Sequence, residues 1–241
     1  MSSKLLEVVS GTRCETFQSV LANLEALEGA LGERDGLRWF TRLYSAMTEE
    51  LAEQASMEVF KDPTFLEQLD CNFAELYFDA IAARLREPGS EPRAWTPLFE
   101  ARNDARVSPL QFALAGANAH INHDLPLALV QSYRAAGAAP ERHGPRYEDY
   151  LTVNQVLATV HAEAKFFLFT GSLVHIDEAL GRVDDVFELW SLERARDAAW
   201  VAAEVQWQLA ATPFIARQHQ DALSRLVGYA SRNVLALLPH R

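Results

Sequence analysis

The stretch GANAHINHDLP, residues 116–126, holds the densest group of site-type side chains in the chain. Five of its eleven residues carry groups that titrate, ligate metals or form hydrogen bonds, and the stretch lies between the apolar runs 110–114 and 125–130. Polar groups inside a buried helix cost free energy unless they are paired or used. The stretch therefore predicts a buried helix that carries a functional site.

Helical spacing sorts these side chains by face. A helix turns by about 100° per residue, so that residues four apart lie on the same face. His120 and Asp124 then stack on one face, with His123 beside them. Asn118 and Asn122 stack on a neighbouring face.

Pro126 follows this group at once. A proline inside a helix has no N–H to donate and displaces the carbonyl four residues earlier, at a cost of about 3 kcal/mol. That carbonyl belongs to Asn122, so we expect a kink that opens the backbone beside the polar side chains.

Three interpretations of this group stay open. In the first, His120 is a general acid or base oriented by Asp124, because a carboxylate one turn away selects one tautomer and raises the basicity of the ring. In the second, His120, His123 and Asp124 bind a metal together with a ligand from another helix. In the third, the side chains form a satisfied buried network that only holds helices together.

Composition limits the choice of partners. The 241 residues include 33 acidic and 22 basic ones, and the net charge of -11 disfavours nucleic acid and anionic membranes, both of which require clustered Lys and Arg. No apolar run approaches the length of about 18 residues that a transmembrane helix needs. A small-molecule substrate or another protein fits better, and the oligomeric state stays open, a homo-oligomer included.

The two cysteines, Cys14 and Cys71, exclude a disulfide framework and a four-thiolate metal site within one chain. Glu7 interrupts the amino-terminal apolar residues before they reach the length of a signal-peptide core. We therefore expect a cytoplasmic protein.

Apolar residues recur at spacings of three and four along the chain, and no alternating strand pattern occurs. This periodicity predicts an all-α, single-domain, bundle-like array of about eight helices over residues 15–241, preceded by a flexible leader over residues 1–14. Cap-plus-proline pairs at 62–63, 96–97, 108–109 and 212–213 mark helix starts, and Asp185 with Glu188 marks another. No nucleotide-cofactor motif is present, and the cofactor stays open, with a divalent metal as the alternative.

The helix predicted over 147–170 carries Asp149, Asn154 and His161, which are the best candidates to meet His120 across the core. On the third predicted helix, Asp70, Asn72 and Asp79 are expected to form the solvated side.

Arg196 and Trp200 lie four residues apart on a later helix and share a face. An arginine beside a tryptophan serves either as a carboxylate clamp with a stacking wall or as part of a buried ion pair capped by an indole.

The run Asn118-Ala119-His120-Ile121-Asn122, one variable position, and then Asp124-Leu125 resembles the signature of an uncharacterised bacterial and fungal family catalogued as a domain of unknown function. Further motifs resemble those of the same family at residues 73–77, at Asp149-Tyr150 with Val153-Asn154, and at Arg196 with Ala199-Trp200. The resemblance covers most of the chain and implies an all-helical domain. It also implies one constellation of Asn118, His120, Asn122, Asp124, Asp149, Asn154, Arg196 and Trp200. His123 falls on the variable position, which weakens the metal interpretation, and no activity follows from the resemblance.

The leading expectation is a small-molecule enzyme in which His120 is the acid or base and Asp124 orients it. Asn118, Asn122 and Asn154 would hydrogen-bond a substrate carbonyl or enolate, and Arg196 would hold a carboxylate or a developing oxyanion. Such a set suits proton transfer, cyclisation, elimination or hydrolysis of a partly apolar substrate.

Two alternatives accompany this expectation. One is a metal-dependent hydrolase or oxygenase with His120, Asp124 and Asp149 as ligands, completed by His123 or His161. The other is a non-enzymatic helical domain that binds a ligand or a partner.

Overall fold

The computed structural model describes residues 2–10, 13–170 and 191–236, except for the side chains of Ser2 and of residues 158–170. These residues contain helices and connecting turns but no β-strand, which confirms the predicted all-α class. The helices are α1 (Ser2–Val9), α2 (Phe17–Ala30), α3 (Leu37–Ser56), α4 (Pro63–Arg86), α5 (Thr96–Ala101), α6 (Pro109–Ala119), α7 (Leu125–Ala135), α8 (Pro145–Thr170), α9 (Leu192–Gln208) and α10 (Pro213–Ala236).

Two of the predicted helix starts, at 62–63 and 108–109, rest on side-chain caps, whereas α5 begins at Thr96 after Trp95 without the side-chain cap that we expected. Asp62 accepts a hydrogen bond from the Phe65 N–H at 3.1 Å, and Pro63 occupies the first turn of α4. At α6, the hydroxyl of Ser108 accepts from the Gln111 N–H, while the Gln111 side chain accepts from the Ser108 N–H. These caps satisfy N–H groups that the helix itself leaves unpaired. The predicted start at Asp185 lies outside the described residues, within which α9 begins after the N-cap Ser191.

The amino terminus differs from the flexible leader that we expected over residues 1–14. Ser2–Val9 form α1, which packs against α2 and α4 and buries Leu5 and Val9. Two apolar side chains one turn apart are enough to attach this short helix to the core.

The central element of the fold is the continuous helical run 109–135, which comprises α6, a π-helical turn and α7. α6 packs against α3 and α10, and α7 packs against α4 and α9. α3 approaches α6 so closely that a Cβ added at Gly116 would lie 2.3 Å from Cγ of Phe40. The polar stretch is therefore surrounded by helices, and His120 and Asp124 are each at most 2 % exposed.

Residues His120–Asp124 form a π-helical turn in place of the expected kink. The Leu125 N–H donates to the carbonyl of His120, five residues earlier. Pro126 has no N–H with which to form the α-helical hydrogen bond to the carbonyl of Asn122. The wider π-helical turn accommodates this missing hydrogen bond. Such turns insert one extra residue into a helix and re-aim the side chains that they contain.

In the described parts of the chain, no helix combines the length and the apolar composition that are needed to cross a lipid bilayer.

Candidate functional site

The carboxylate of Asp124 lies at the centre of a buried hydrogen-bond network. Its Oδ2 atom lies 2.9 Å from Nδ1 of His120 and accepts from the indole N–H of Trp95 at 3.0 Å. Its Oδ1 atom lies 2.6 Å from Nδ1 of His123. The π-helical turn allows one carboxylate to contact both the residue before it and the residue four positions earlier.

These contacts determine the protonation of the His120 ring. The hydrogen bonds from His120 and His123 outweigh burial and hold the pKa of Asp124 below its ordinary value. An ionised carboxylate only accepts hydrogen bonds, so each histidine must present an Nδ1–H to it. Burial lowers the pKa of His120 despite the neighbouring carboxylate. At neutral pH the ring is therefore uncharged, with its free lone pair on Nε2.

Aromatic side chains surround the His120 ring. The ring of Phe73 stacks on it, with a centroid distance of 3.4 Å and an interplanar angle of 7°. Tyr44 and Phe40 contact it edge-on, at centroid distances of 4.7 and 5.5 Å. This packing restricts the ring to one orientation. Its Nε2 atom is buried and has no hydrogen-bond partner among the described protein atoms.

His120 lines a small cavity of about 60 Å³. Most of the lining side chains are apolar and come from α3, α4, α7, α8 and the π-helical turn. The charged or titratable ones besides His120 are Tyr44, Asp70 and Arg196. The cavity therefore combines a largely apolar wall with four polar side chains, those of His120, Tyr44, Asp70 and Arg196.

Asp70 corrects an expectation from the sequence. We predicted a solvated side chain, but Asp70 is 5 % exposed, whereas Asp79 on the same helix is exposed as predicted. Asp70 Oδ1 accepts a long hydrogen bond of 3.4 Å from the Tyr44 hydroxyl, and its Oδ2 has no partner among the described atoms. Burial raises the pKa of Asp70 to about 7.

A second concavity lies on the other side of Asp124. This open cleft of about 920 Å³ has His123 and Asp124 in its wall and charged residues of α10 along its rim. Three of these charged residues form ion pairs: Asp221 lies 2.5 Å from Arg225, and Arg232 lies 3.1 Å from Glu100 of α5. The cleft therefore presents solvated ion pairs, whereas the cavity presents buried polar atoms without partners.

The two asparagines of the motif belong to a hydrogen-bond network that connects α6 to α10, and neither lines the cavity. Asn118 donates to the carbonyl of Val227 at 3.0 Å and to the hydroxyl of Ser231 at 2.9 Å. Asn122 donates to Oδ1 of Asn118 at 3.0 Å. Both amide hydrogens of Asn118 are thus used in attaching α10 to α6.

Asp149 belongs to α8, and its side chain contacts the start of α4 rather than His120. Its carboxylate accepts from the backbone N–H groups of Lys61 and Asp62 at 2.8 and 2.7 Å. This arrangement extends the cap of α4 from another helix.

The residues suggested as metal ligands do not converge. Among the described residues, no cluster of three or more His, Cys, Asp or Glu side chains is arranged to hold a metal ion. His120 and His123 direct Nδ1 at Asp124, and Asp149 caps α4. The side chain of His161, the other suggested ligand, lies outside the described residues.

Two residues of the later motifs line the cavity, the apolar Val153 and the charged Arg196. The Nε of Arg196 donates to Asn154 at 2.6 Å, its Nη2 donates to the carbonyl of Tyr150 at 2.9 Å, and its guanidinium lies over the Tyr150 ring. Asn154 therefore orients Arg196. Trp200 instead packs against the rings of tyrosines on α7 and α8 and donates to Glu204.

Sequence reasoning missed Trp95, Asp70 and the aromatic rings around His120. A signal existed for Asp70, which lies on the same helical stripe as Leu66, Phe73 and Tyr77 at spacings of four, three and seven. Trp95 is fully buried, and a buried indole N–H needs an acceptor, but nothing in the sequence identifies that acceptor as Asp124.

Comparisons with curated proteins and with solved structures gave no match. A family comparison did: one family sequence model matches residues 17–237, which include every residue of the site described above. The chain therefore belongs to the family of unknown function DUF5995.

Proposed function

We propose that this protein is a small-molecule enzyme in which Nε2 of His120 accepts a proton from a substrate bound in the small cavity that His120 lines. The observation that carries the proposal is the His120 ring itself. One nitrogen is fixed by Asp124, the other is buried and has no partner among the described atoms, and the residue lines a cavity. Leaving a buried nitrogen unpaired costs about 1–3 kcal/mol, so a ligand that donates a hydrogen bond to Nε2 would remove that cost.

The neighbouring groups have complementary roles in this proposal. Asp124 selects the Nδ1–H tautomer and stabilises the imidazolium that forms when Nε2 takes a proton. Phe73 fixes the plane of the ring by stacking. Arg196, held by Asn154 and Tyr150, supplies a fixed positive charge at the cavity wall that stabilises developing negative charge on the substrate.

The cavity lining supports a type of substrate and a class of reaction. Its wall is largely formed by Phe, Leu, Met, Ile and Val side chains, which suits a partly apolar molecule. A base with one fixed tautomer and a nearby positive charge suits proton transfer, and with it cyclisation, elimination or hydrolysis. Asn118, Asn122 and Asp149 have no part in this proposal, because their hydrogen bonds attach α10 and cap α4.

We favour the cavity over the open cleft as the reaction site. Exposed ion pairs such as those of the cleft rim contribute little and are satisfied without a ligand. Buried polar atoms without partners gain most from a bound molecule. We also propose a reducing, cytoplasmic location, for which the free and buried Cys14 and Cys71 are the support.

The test is a comparison of purified wild type, His120→Asn and His143→Asn proteins incubated with a metabolite extract in deuterated water. Mass spectrometry would record compounds that change or take up deuterium. We expect wild type and His143→Asn, whose imidazole is exposed, to alter the same compounds and His120→Asn to alter none.

A second readout does not depend on the substrate. Nitrogen NMR of the His120 ring should show a protonated Nδ1 and an unprotonated Nε2 at neutral pH. A ring protonated on Nε2, or equal turnover by His120→Asn, would contradict the proposal.

A further inference from the structure

Asp70 and His120 line the same cavity, and each has one buried side-chain atom without a hydrogen-bond partner among the described atoms. Asp70 comes from α4 and His120 from the π-helical turn, and both line the 60 Å³ space. The unpaired atoms are Oδ2 of Asp70 and Nε2 of His120. Tyr44 connects the two residues, because its ring packs on His120 while its hydroxyl contacts Oδ1 of Asp70.

The two atoms have opposite hydrogen-bonding character when Asp70 is protonated. A protonated carboxyl group donates through one oxygen, whereas the neutral ring of His120 accepts at Nε2. A molecule between them would need one acceptor and one transferable proton. The cavity has room for about two water molecules, at about 30 Å³ each, and hence for the reacting end of a ligand.

We propose that Asp70 is the acid that faces His120 across the cavity, and that the pair binds and enolises an uncharged carbonyl group. This inference rests on the proposed function, to which it adds the second catalytic residue and the substrate class. The carbonyl oxygen accepts from the carboxyl group of Asp70, and the adjacent C–H lies at Nε2 of His120.

The proton balance of this step is complete. Nε2 of His120 removes the proton from the carbon, the C–H electron pair forms the C=C bond, and the carbonyl oxygen takes the proton of Asp70. The products are an enol, an imidazolium and the Asp70 carboxylate. Return of the hydroxyl proton to Asp70 and of the imidazolium proton to the same carbon restores both the substrate and the enzyme. If the substrate is a β,γ-unsaturated carbonyl compound, delivery of the imidazolium proton to the γ carbon of the dienol instead completes an isomerisation and also restores the enzyme.

The surroundings of Asp70 raise its pKa, so that the carboxyl group retains its proton up to about pH 7. Burial is the main cause that raises its pKa, and Glu67 on the same helix adds to it, while the Tyr44 hydrogen bond opposes it. The facing groups from other elements are Tyr44 of α3, His120 of the π-helical turn and Arg196 of α9, and α8 contributes only apolar side chains to the cavity wall. The thiols of Cys14 and Cys71 are neutral near pH 7, because burial raises both of their pKa values.

Formamide is a suitable probe, because it is uncharged, it fits a cavity of this size, and it offers both a carbonyl oxygen and an N–H. Formate is its matched control, of equal size but anionic and without the N–H. Titration of the whole protein with each, followed by the nitrogen signal of His120 Nε2, measures binding. A ligand of three non-hydrogen atoms binds at about millimolar Kd at best.

We expect formamide to shift the Nε2 signal saturably and formate to bind at least about tenfold more weakly. Asp70→Leu should weaken formamide binding by about tenfold, which corresponds to the loss of one buried hydrogen bond. In the wild type, affinity should fall as pH rises through about 7, when Asp70 loses its proton. Asp70→Asn keeps a donor that does not titrate, so it should bind formamide without that fall.

Several results would overturn the inference. These are an Nε2 signal that formamide does not shift, equal binding of formate, unchanged binding in Asp70→Leu, or the same fall above pH 7 in Asp70→Asn. Each would mean that the cavity holds only water or that Asp70 is not the facing acid. Failure of the proposed function would appear separately, as equal turnover by His120→Asn in the metabolite experiment.

Discussion

Asp124 and Asp70 are both buried carboxyl groups, yet their hydrogen bonds leave their pKa values shifted in opposite directions. Asp124 accepts from Trp95, His120 and His123, and these contacts stabilise the charged form. Asp70 accepts one long hydrogen bond from Tyr44, so burial dominates and favours the neutral form. The number of donors, rather than the depth of burial, decides which carboxyl group is ionised.

The raised pKa of Asp70 makes a prediction about stability. The pKa is about 7 in the folded protein and 3.8 ordinarily, so the folded state retains a proton that the unfolded state loses between these values. The contribution of Asp70 to stability is complete below pH 3.8 and is lost as pH rises to about 7. By linkage, the loss is on the order of 4 kcal/mol.

Asp70→Asn should therefore gain stability relative to wild type as pH rises from about 4 to above 7, because the amide does not titrate. Urea unfolding at several pH values measures the difference. Asp79→Asn, on the exposed side of α4, is the control and should show little change. A difference between Asp70→Asn and wild type that does not vary with pH would show that Asp70 is ionised in the folded protein.

At the scale of elements, the π-helical turn builds the site. The turn places Nδ1 of both His120 and His123 on the Asp124 carboxylate, although the two histidines are only three residues apart. Pro126 is its local cause, since the missing N–H interrupts the α-helical ladder. α3 and α4 then complete the site by covering the His120 ring with aromatic side chains.

A variant of Asp149 tests whether its role is to cap α4 or to act in the site. Asp149→Ala removes acceptors from the N–H groups of Lys61 and Asp62 and should destabilise the protein by about 1–2 kcal/mol. Glu148→Ala is the matched control, because it removes only an exposed ion pair with Lys61 and should cost less than about 1 kcal/mol. Thermal unfolding of the two variants measures the comparison. Equal stability of Asp149→Ala and wild type would return Asp149 to the list of candidate site residues.

The contact between α3 and α6 depends on Gly116. A methyl group there would overlap the ring of Phe40, which also packs on His120, so Gly116→Ala should destabilise the protein by about 1–3 kcal/mol. Gly29→Ala is the matched control in α2, where the added Cβ meets nothing within 4 Å. That change should be neutral or stabilising by up to about 1 kcal/mol. Urea unfolding of both variants is the measurement, and similar effects of the two would contradict a close helix contact at Gly116.

At the scale of the whole molecule, the central run 109–135 connects helices that are distant in sequence. Its α6 part contacts α3 and α10, and its α7 part contacts α4 and α9. Polar side chains of α6 form hydrogen bonds to α10 at both ends of this contact. At one end, Gln111 donates to the carbonyls of Val234 and Leu235. At the other end, Asn118 donates to the carbonyl of Val227 and to the hydroxyl of Ser231. The site is therefore enclosed by elements from most of the described chain.

Gln111→Ala tests this long-range connection. It removes two hydrogen bonds to the carbonyls of α10 as well as half of the capping box of α6, and we expect a destabilisation of about 1–2 kcal/mol. Amide hydrogen exchange should quicken over the last turns of α10. Gln68→Ala, an exposed position on α4, is the control. If exchange quickens only around residue 111, Gln111 supports α6 alone.

Local sequence predicted the helices and their starts, because capping and proline effects act within a few residues. Asp62-Pro63 and Ser108-Pro109 are the clearest cases. It also indicated that His120 and Asp124 meet, since they lie on one helical face. It did not predict α1, whose attachment depends on the surfaces of α2 and α4, or the burial of Asp70, whose surroundings come from α3 and the central run.

The sequence by itself determined the all-α class, the family and the His120–Asp124 pair, because helical periodicity, caps and motif spacing are properties of neighbouring residues. Tertiary structure alone decided which of the motif residues meet. It directed Asn118 to α10, Asp149 to the start of α4, and Asp70 to the cavity beside His120. These assignments depend on which helix faces bury one another, and that choice is a property of the packed chain rather than of any single stretch.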